Sequence, residues 1–336
     1  MVDPLTLRLN LAKPVLSVPE DFSNFPAPSC IRRFTAPWSD NPIGTGAYTL
    51  KELVVGERCI LERMTTRADG EAFAYWGGDV LLDEIHYYDF SVDNQLLALA
   101  GGDVDAIFEF GRSKAAGRAS RKILPVETAY CLVCRMRMDM APFDDVRVRK
   151  AVQLSIDNVE IAAIVLPTTH RRAEPSRVAG ASEYFDLPKT TRDVDGAKAL
   201  LAEAGYADGI DLTIDVGNTD GVWQQSVCEA MRDQMADAGI RLTVNLMPAT
   251  KYWEVWTETP FGATSWAHRP LGTMVLSQAY RSGVPWNESR FSNPDFDAAL
   301  DAAEAIFDPD DRRQKMETVE RLLQDSGAIV QPLWLP

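Results

Sequence analysis

Cys131 and Cys134 stand in the order Cys-x-x-Cys, a spacing that can serve a redox dithiol or half of a zinc site. Their neighbours argue against both. Tyr130, Leu132, Cys134, Met136 and Met138 alternate with Cys131, Val133, Arg135 and Arg137, so the run reads as a strand with the two thiols on opposite faces. At strand rise the thiols would be about 10 Å apart, whereas a disulfide needs Cα atoms within roughly 7 Å. The five cysteines (Cys30, Cys59, Cys131, Cys134, Cys228) are odd in number and lack framework spacing. His86, His170 and His268 are too scattered to predict a metal site. The chain has no GxGxxG, GxxxxGK[ST], GxSxG or HExxH motif. Asp144-Asp145 and Asp310-Asp311 precede helical patterns and read as caps rather than catalytic pairs. We therefore expect no cofactor, no metal and no catalytic constellation. A thiol-dependent two-lobed α/β enzyme using Cys131 or Cys134 stands as the alternative. Thiol alkylation separates the two, since it would abolish catalysis and spare binding.

Aromatic residues carry more information. Five tryptophans (Trp223, Trp253, Trp256, Trp266, Trp286) fall in one stretch. Trp253 and Trp256 sit on a short helical pattern and suit core packing. Trp266 instead ends an apparent strand, Phe261 to Trp266, just before a loop containing Pro and Gly. Ligands of α/β domains gather beyond the carboxyl ends of strands.

The elements that must position these groups alternate between strand and helix. Period-two runs predict strands at Leu5–Leu11, Tyr48–Val54, Cys59–Arg63, Ile85–Phe90, Val104–Phe108, Asp211–Val216, Ile240–Met247 and Ala328–Leu333. The second and third are expected to pair as a hairpin. Helical spacing with cap residues predicts helices after Ser91, Asp144 or Asp145, Asp193 or Asp195, Asn293-Pro294 and Asp308-Pro309, and one carrying Val227, Met231 and Met235. Strand, helix and strand over 85–108 suggest a right-handed parallel βαβ unit. Gly217–Gly221 (GNTDG) reads as a loop. Two such blocks predict two α/β lobes.

Length and composition agree. The chain has 336 residues and a net charge of −15, with 49 acidic against 34 basic side chains. That balance argues against nucleic acid, whose phosphates need a basic face. No run approaches the roughly 20 apolar residues of a membrane span, and no secretion signal opens the chain.

The segment APFDDVRVRKAVQLSID (141–157) resembles the "PFdDvRVRqAl…aiDr" signature of family 5 extracellular solute-binding proteins, the peptide- and nickel-type receptors of ABC importers. Asn41–Tyr48 resembles that family's "nPvGTGPY", Glu57–Arg63 its "ge.v.leR", Trp76 and Leu82–Ile85 its "yW…lDeI", Gly102–Asp105 its "sGevD", and Asn287–Leu300 its "N.s.y.NpefDaLl". Each pattern is weak alone, but the six run collinearly.

The resemblance implies a two-lobed periplasmic-binding-protein-like (type II) fold. It implies a receptor that captures a small-molecule or peptide ligand and hands it to an inner-membrane ABC permease. An extracytoplasmic or periplasmic location and a full-length monomer follow in the same way. Residues 1–125, joined by 328–336, would form an incomplete first lobe and 126–327 the second. A chain of this extent is expected to bind its ligand weakly or not at all. TSWAHRPLGTMVL resembles the family's "gW.aDy.dP…fL" stretch, in which an Asp anchors a ligand ammonium. Aligned on Ala267 and Leu276, that position holds His268, with Arg269 beside it. Trp266, His268 and Arg269, with Tyr280, Trp286 and Asn287 nearby, are therefore the expected ligand surface, suited to a carboxylate or phosphate. The competing expectation is an internal salt bridge for Arg269 and core packing for Trp266.

Overall fold

The computed structural model describes residues 8–18, 46–67, 70–90, 92–107, 128–165 and 183–335. By their contacts the residues fall into two units, Pro19–Lys114, and Met1–Val18 with Ala115–Pro336.

In the smaller unit, β1 (Tyr48–Val54), β2 (Arg58–Arg63) and β3 (Glu84–Tyr88) form an antiparallel sheet in sequence order. Gly56 makes the first hairpin turn at φ 75°, a left-handed position where a Cβ would be strained. Helix α1 (Val92–Gly101) follows and stops at Gly102, φ 86°. The strand expected at Val104–Phe108 does not form over 104–107, the part that is described. A parallel strand needs a free partner edge, which a short alternating run cannot announce by itself. Among its described residues the unit is an antiparallel meander followed by a helix, with no parallel strand after the helix. Residues 8–11, the described part of the expected opening strand, are likewise unpaired, and Leu9 and Leu11 are exposed.

The larger unit contains β4 (Tyr130–Met136), α2 (Val146–Leu154), α3 (Asn158–Val165), α4 (Val194–Glu203), β5 (Ile210–Val216), α5 (Trp223–Ala236), β6 (Ile240–Leu246), α6 (Ala249–Val255), β7 (Phe261–Trp266), α7 (Gly272–Ala279), α8 (Pro294–Glu304), α9 (Pro309–Ser326) and β8 (Ile329–Leu335). Its sheet has the order β6-β5-β7-β4-β8. β5 runs parallel to β6 and to β7, while β4 is antiparallel to both β7 and β8. The mixed α/β architecture follows the alternation in sequence. Of the crossing between lobes that the sequence places near Leu124–Met138, 124–127 lie outside the described residues, and the rest contains β4. Residues 328–336, assigned from sequence to the first lobe, include β8, which pairs with β4 inside this five-stranded sheet.

Strand period two sorts the sheet into two faces. Leu132, Cys134, Ile210, Leu212, Ile214, Val216, Phe261 and Ala263 face one apolar core with α2, α3, α4 and α5. Cys131, Val133 and Trp266 face a second core with α7, α8 and α9. Cys131 and Cys134 therefore lie on opposite faces, as the alternation predicted. Over β5 and β6 the second face is open, and Asp211 and Thr213 beside Arg241 and Thr243 meet solvent.

The helix starts follow their caps. Asp145, Asp193, Asn293 and Asp308 each accept a backbone N–H from the first turn of α2, α4, α8 and α9. Of the first acidic pair Asp145 is the cap, as predicted; Asp310 and Asp311 do not cap but lie in the first turn of α9, where their N–H groups donate to the cap Asp308. The family-like segment 141–157 has a structural reason for its composition. The Arg149 guanidinium is buried and donates to Phe143 O at 2.6 Å and Ser326 O at 2.9 Å. Lys150 donates to Gln324 O at 3.1 Å and Gln153 to Ile329 O at 2.9 Å. One helix thus satisfies the open carbonyls at the end of α9 and the start of β8.

Candidate ligand site

β5, β6 and β7 are parallel, so their carboxyl ends share one edge of the sheet. Because β4 is antiparallel to β7, with Cys131 opposite Trp266, Ala129 enters the sheet at that same edge. The loops following β5 (217–221) and β7 (267–271) also meet there. Gln224 ties the loop after β5 to the end of β7, its amide donating to Ser265 Oγ at 2.7 Å and to Asp220 Oδ2 at 3.1 Å.

His268 is half-buried, and its Nδ1 accepts the Ala129 N–H at 3.0 Å. Since a backbone amide is always a donor, the neutral ring carries its proton on Nε2. Arg269 is only 9% exposed. It donates to Ala267 O and His268 O, both at 3.2 Å, and to Gln278 Oε1 at 3.3 Å. Among the described residues no carboxylate forms an ion pair with it. Burial lowers its pKa, and no anion offsets that effect. This edge therefore holds a nearly buried positive charge that, among the described residues, is held by neutral oxygens, and the preceding residue along the chain is His268. Buried charge without a partner is costly, and an anion arriving here would relieve that cost.

Trp266 is 6% exposed, and its indole Nε1 donates to Glu288 Oε1 at 3.0 Å. Most of its ring packs in the core, edge-on to Trp286 with centroids 6.0 Å apart. Trp286 continues to Trp256 at 6.2 Å and Trp256 to Trp253 at 5.5 Å. Trp253 is the exposed end of this series. Tyr280 is buried in the same core, and burial drives its pKa upward. Asn287 has its hydrogen-bonding groups engaged internally. Its amide donates to Phe291 O at 2.7 Å and Arg281 O at 3.1 Å, and its Oδ1 accepts from Ser289 Oγ and Phe291 N. The structure thus places Trp266, His268 and Arg269 at the sheet edge, while Tyr280 is buried in the core that contains Trp266 and Asn287 bonds within 281–291. Sequence reasoning did not select Asp220, Gln224 or Ser265. The signal available was the GNTDG turn at the end of β5.

The sequence profile of the bacterial extracellular solute-binding proteins, family 5 Middle, matches residues 1–299. The chain belongs to this family. Among curated family 5 relatives, the glutathione-binding protein GsiB of Salmonella paratyphi A is 24% identical over 367 residues, covering 100% of this chain and 67% of GsiB. The periplasmic oligopeptide-binding protein OppA of Escherichia coli K12 is 25% identical over 356 residues, covering 98% of this chain and 63% of OppA. The fold of this family 5 chain is similar to NikZ from Campylobacter jejuni in complex with Ni(L-His), with a TM-score of 0.75 and 16% identity over 90% of this chain and 63% of NikZ. It is also similar to the oligopeptide-binding protein AppA of Bacillus subtilis in complex with a nonapeptide, with a TM-score of 0.74 and 19% identity over 87% and 61%. The chain therefore spans about three fifths to two thirds of the length of these proteins. Among the described residues no helix is long and apolar enough to cross a membrane.

Proposed function

We propose that this chain is the ligand-binding part of an ABC-importer receptor, extracytoplasmic in location, and that its solute carries an anionic group. The solute would be captured between two lobes and passed to an inner-membrane permease. One observation carries the anion: Arg269 lies nearly buried at the carboxyl ends of β5 and β7 with no described carboxylate beside it. Its planar fork suits a carboxylate or phosphate taken bidentately. His268 Nε2–H would supply a second donor, and the rim of Trp266 an apolar contact. A bare ammonium, the group that an acidic side chain here would hold, would meet a cation instead. Names among the relatives, a glutathione-binding and an oligopeptide-binding protein, support a small peptide with free carboxylates as the first class to try.

The thiol-enzyme alternative draws no support from the geometry. Cys131 is buried and its thiol is pushed up to about 12 by desolvation, while Cys134 is buried on the other face. A catalytic thiol needs the opposite environment.

Mass spectrometry of small molecules released from the purified protein would identify the solute. Calorimetry with glutathione and with its carboxyl-amidated form tests the anion directly. Arg269→Ala is expected to cost about 1.5–3 kcal/mol of affinity for the acid and little for the amide. Equal binding of acid and amide by the parent protein would overturn the reading.

A further inference from the structure

Behind the sheet edge lies a buried polar cluster that the ligand reading does not use. Glu288, in the segment between α7 and α8, is buried beneath β7 and forms an ion pair with Arg135 of β4, which is also buried. Its Oε2 accepts Thr264 Oγ1 at 2.7 Å, and its Oε1 accepts the Trp266 indole at 3.0 Å. Thr264 in turn shares a 2.6 Å hydrogen bond with the Tyr252 hydroxyl.

This arrangement is poorly explained as a stabilising device. A buried ion pair rarely outperforms apolar residues of similar volume. Arg135 also leaves Nη1 and Nη2 without hydrogen-bond acceptors among the described residues. The guanidinium lies so close over β7 that a Cβ on Gly262 would come within 1.9 Å of Nη1. By contrast, a second buried pair among the described residues, Arg312 with Glu183 at 2.5 Å, serves helix ends. Arg312 donates to Ile306 O at 2.6 Å, and Glu183 accepts the Thr273 N–H at the start of α7 at 2.9 Å. Among the hydrogen-bond partners of Glu288, only Trp266 belongs to the edge from which the 267–269 loop departs.

We propose that Glu288 is a positioning residue for the ligand site, fixing the Trp266 indole and with it the departure of the loop that carries His268 and Arg269. Arg135 balances its charge, and Gly262 makes room for that balance. The inference rests on the reading of Arg269 as ligand-facing, and the experiment keeps the two apart.

The indole Nε1–H resonance of Trp266 can be assigned by NMR as the one lost in Trp266→Phe. Two variants then divide structure from positioning. The double variant Arg135→Met with Glu288→Leu replaces the pair by apolar residues and is expected to fold. Glu288→Gln keeps an acceptor for the indole. In the double variant the Trp266 resonance should move upfield and its hydrogen exchange should speed up by about tenfold or more, the worth of a hydrogen bond to a charged group. In Glu288→Gln the exchange protection should stay within about threefold of the parent. Glutathione affinity, read by calorimetry, should follow the same order. An unchanged Trp266 resonance in a folded double variant would overturn the inference. A resonance that depends on Glu288 in a protein that binds no anionic peptide would support the anchoring and sink the ligand reading instead.

Discussion

The two faces of the five-stranded sheet solve different problems. Toward α2, α3, α4 and α5 the contact is a continuous apolar core in which Ile214, Val216, Met231 and Met235 are fully buried. Toward α7, α8 and α9 the core also takes in Arg135, Glu288 and Thr264, with Trp266 bonded to the carboxylate. Apolar packing is forgiving of direction, whereas a buried hydrogen bond fixes an angle. The first face holds the sheet together, and the second orients what leaves its edge.

That contrast is broken or sharpened first by the charge pair. Arg135→Ala strands the Glu288 carboxylate in the core and is expected to cost about 3–5 kcal/mol in urea unfolding. Met231→Ala on the opposite face should cost about 2–5 kcal/mol through its cavity. The two differ in rescue. Adding Glu288→Leu to Arg135→Ala should recover much of the loss, while no polar substitution on the first face can repair a cavity. Absence of any recovery would mean that the pair is not the isolated polar unit described above.

Titration separates the faces next. Glu320, on α9, accepts the Phe185 N–H at 3.1 Å and lies mostly out of water. Burial, with a smaller contribution from Glu183, pushes its carboxyl up to about 8. The folded protein thus holds a proton that the unfolded chain releases near its ordinary value of 4.5. Its contribution to stability is complete below that value and is lost as the pH climbs through about 8. Glu320→Gln should therefore stabilise the protein by roughly 4 kcal/mol more at pH 8.5 than at pH 4.5. Melting curves at the two pH values check this, and equal shifts would remove Glu320 as the source.

Much of this fold was legible because its signals are local. Gly56 at a hairpin turn, Asn293-Pro294 and Asp308-Pro309 at helix starts, and the alternation that splits Cys131 from Cys134 all act within a few residues. The segment 141–157 was legible for a different reason. Arg149 closes carbonyls at 143 and 326, so its surroundings are constrained from two directions. Val104–Phe108 misled because alternation does not say whether a partner edge exists. Of the candidate site, the strand end at Trp266 and the loop after it can be read from local pattern, whereas the engagement of the Asn287 amide by Phe291 and Arg281 cannot. The Glu288 cluster was invisible, since Arg135, Thr264 and Glu288 meet only through tertiary packing. Nothing near Glu288 in sequence announces a buried carboxylate.

The smallest expected effect tests whether the two faces differ only in their middles. Helix α4 packs on the apolar side, and Asp193 caps it by accepting the Gly196 N–H at 2.9 Å. Helix α8 packs on the polar side, and Asn293 caps it by accepting the N–H groups of Asp295 at 2.9 Å and Phe296 at 3.2 Å. Both caps sit at helix ends, and the local physics is the same: a side-chain oxygen replaces water on amides that the helix leaves open. Asp193→Ala and Asn293→Ala should therefore each cost about 1 kcal/mol. Neither should move the Trp266 indole resonance, because neither residue touches the Glu288 cluster in the hydrogen-bond pattern. If Asn293→Ala shifted that resonance while Asp193→Ala did not, the orienting role would extend from the buried carboxylate to the whole α8 side of the sheet. If both left it in place, orientation would be localised to Glu288 and its immediate partners.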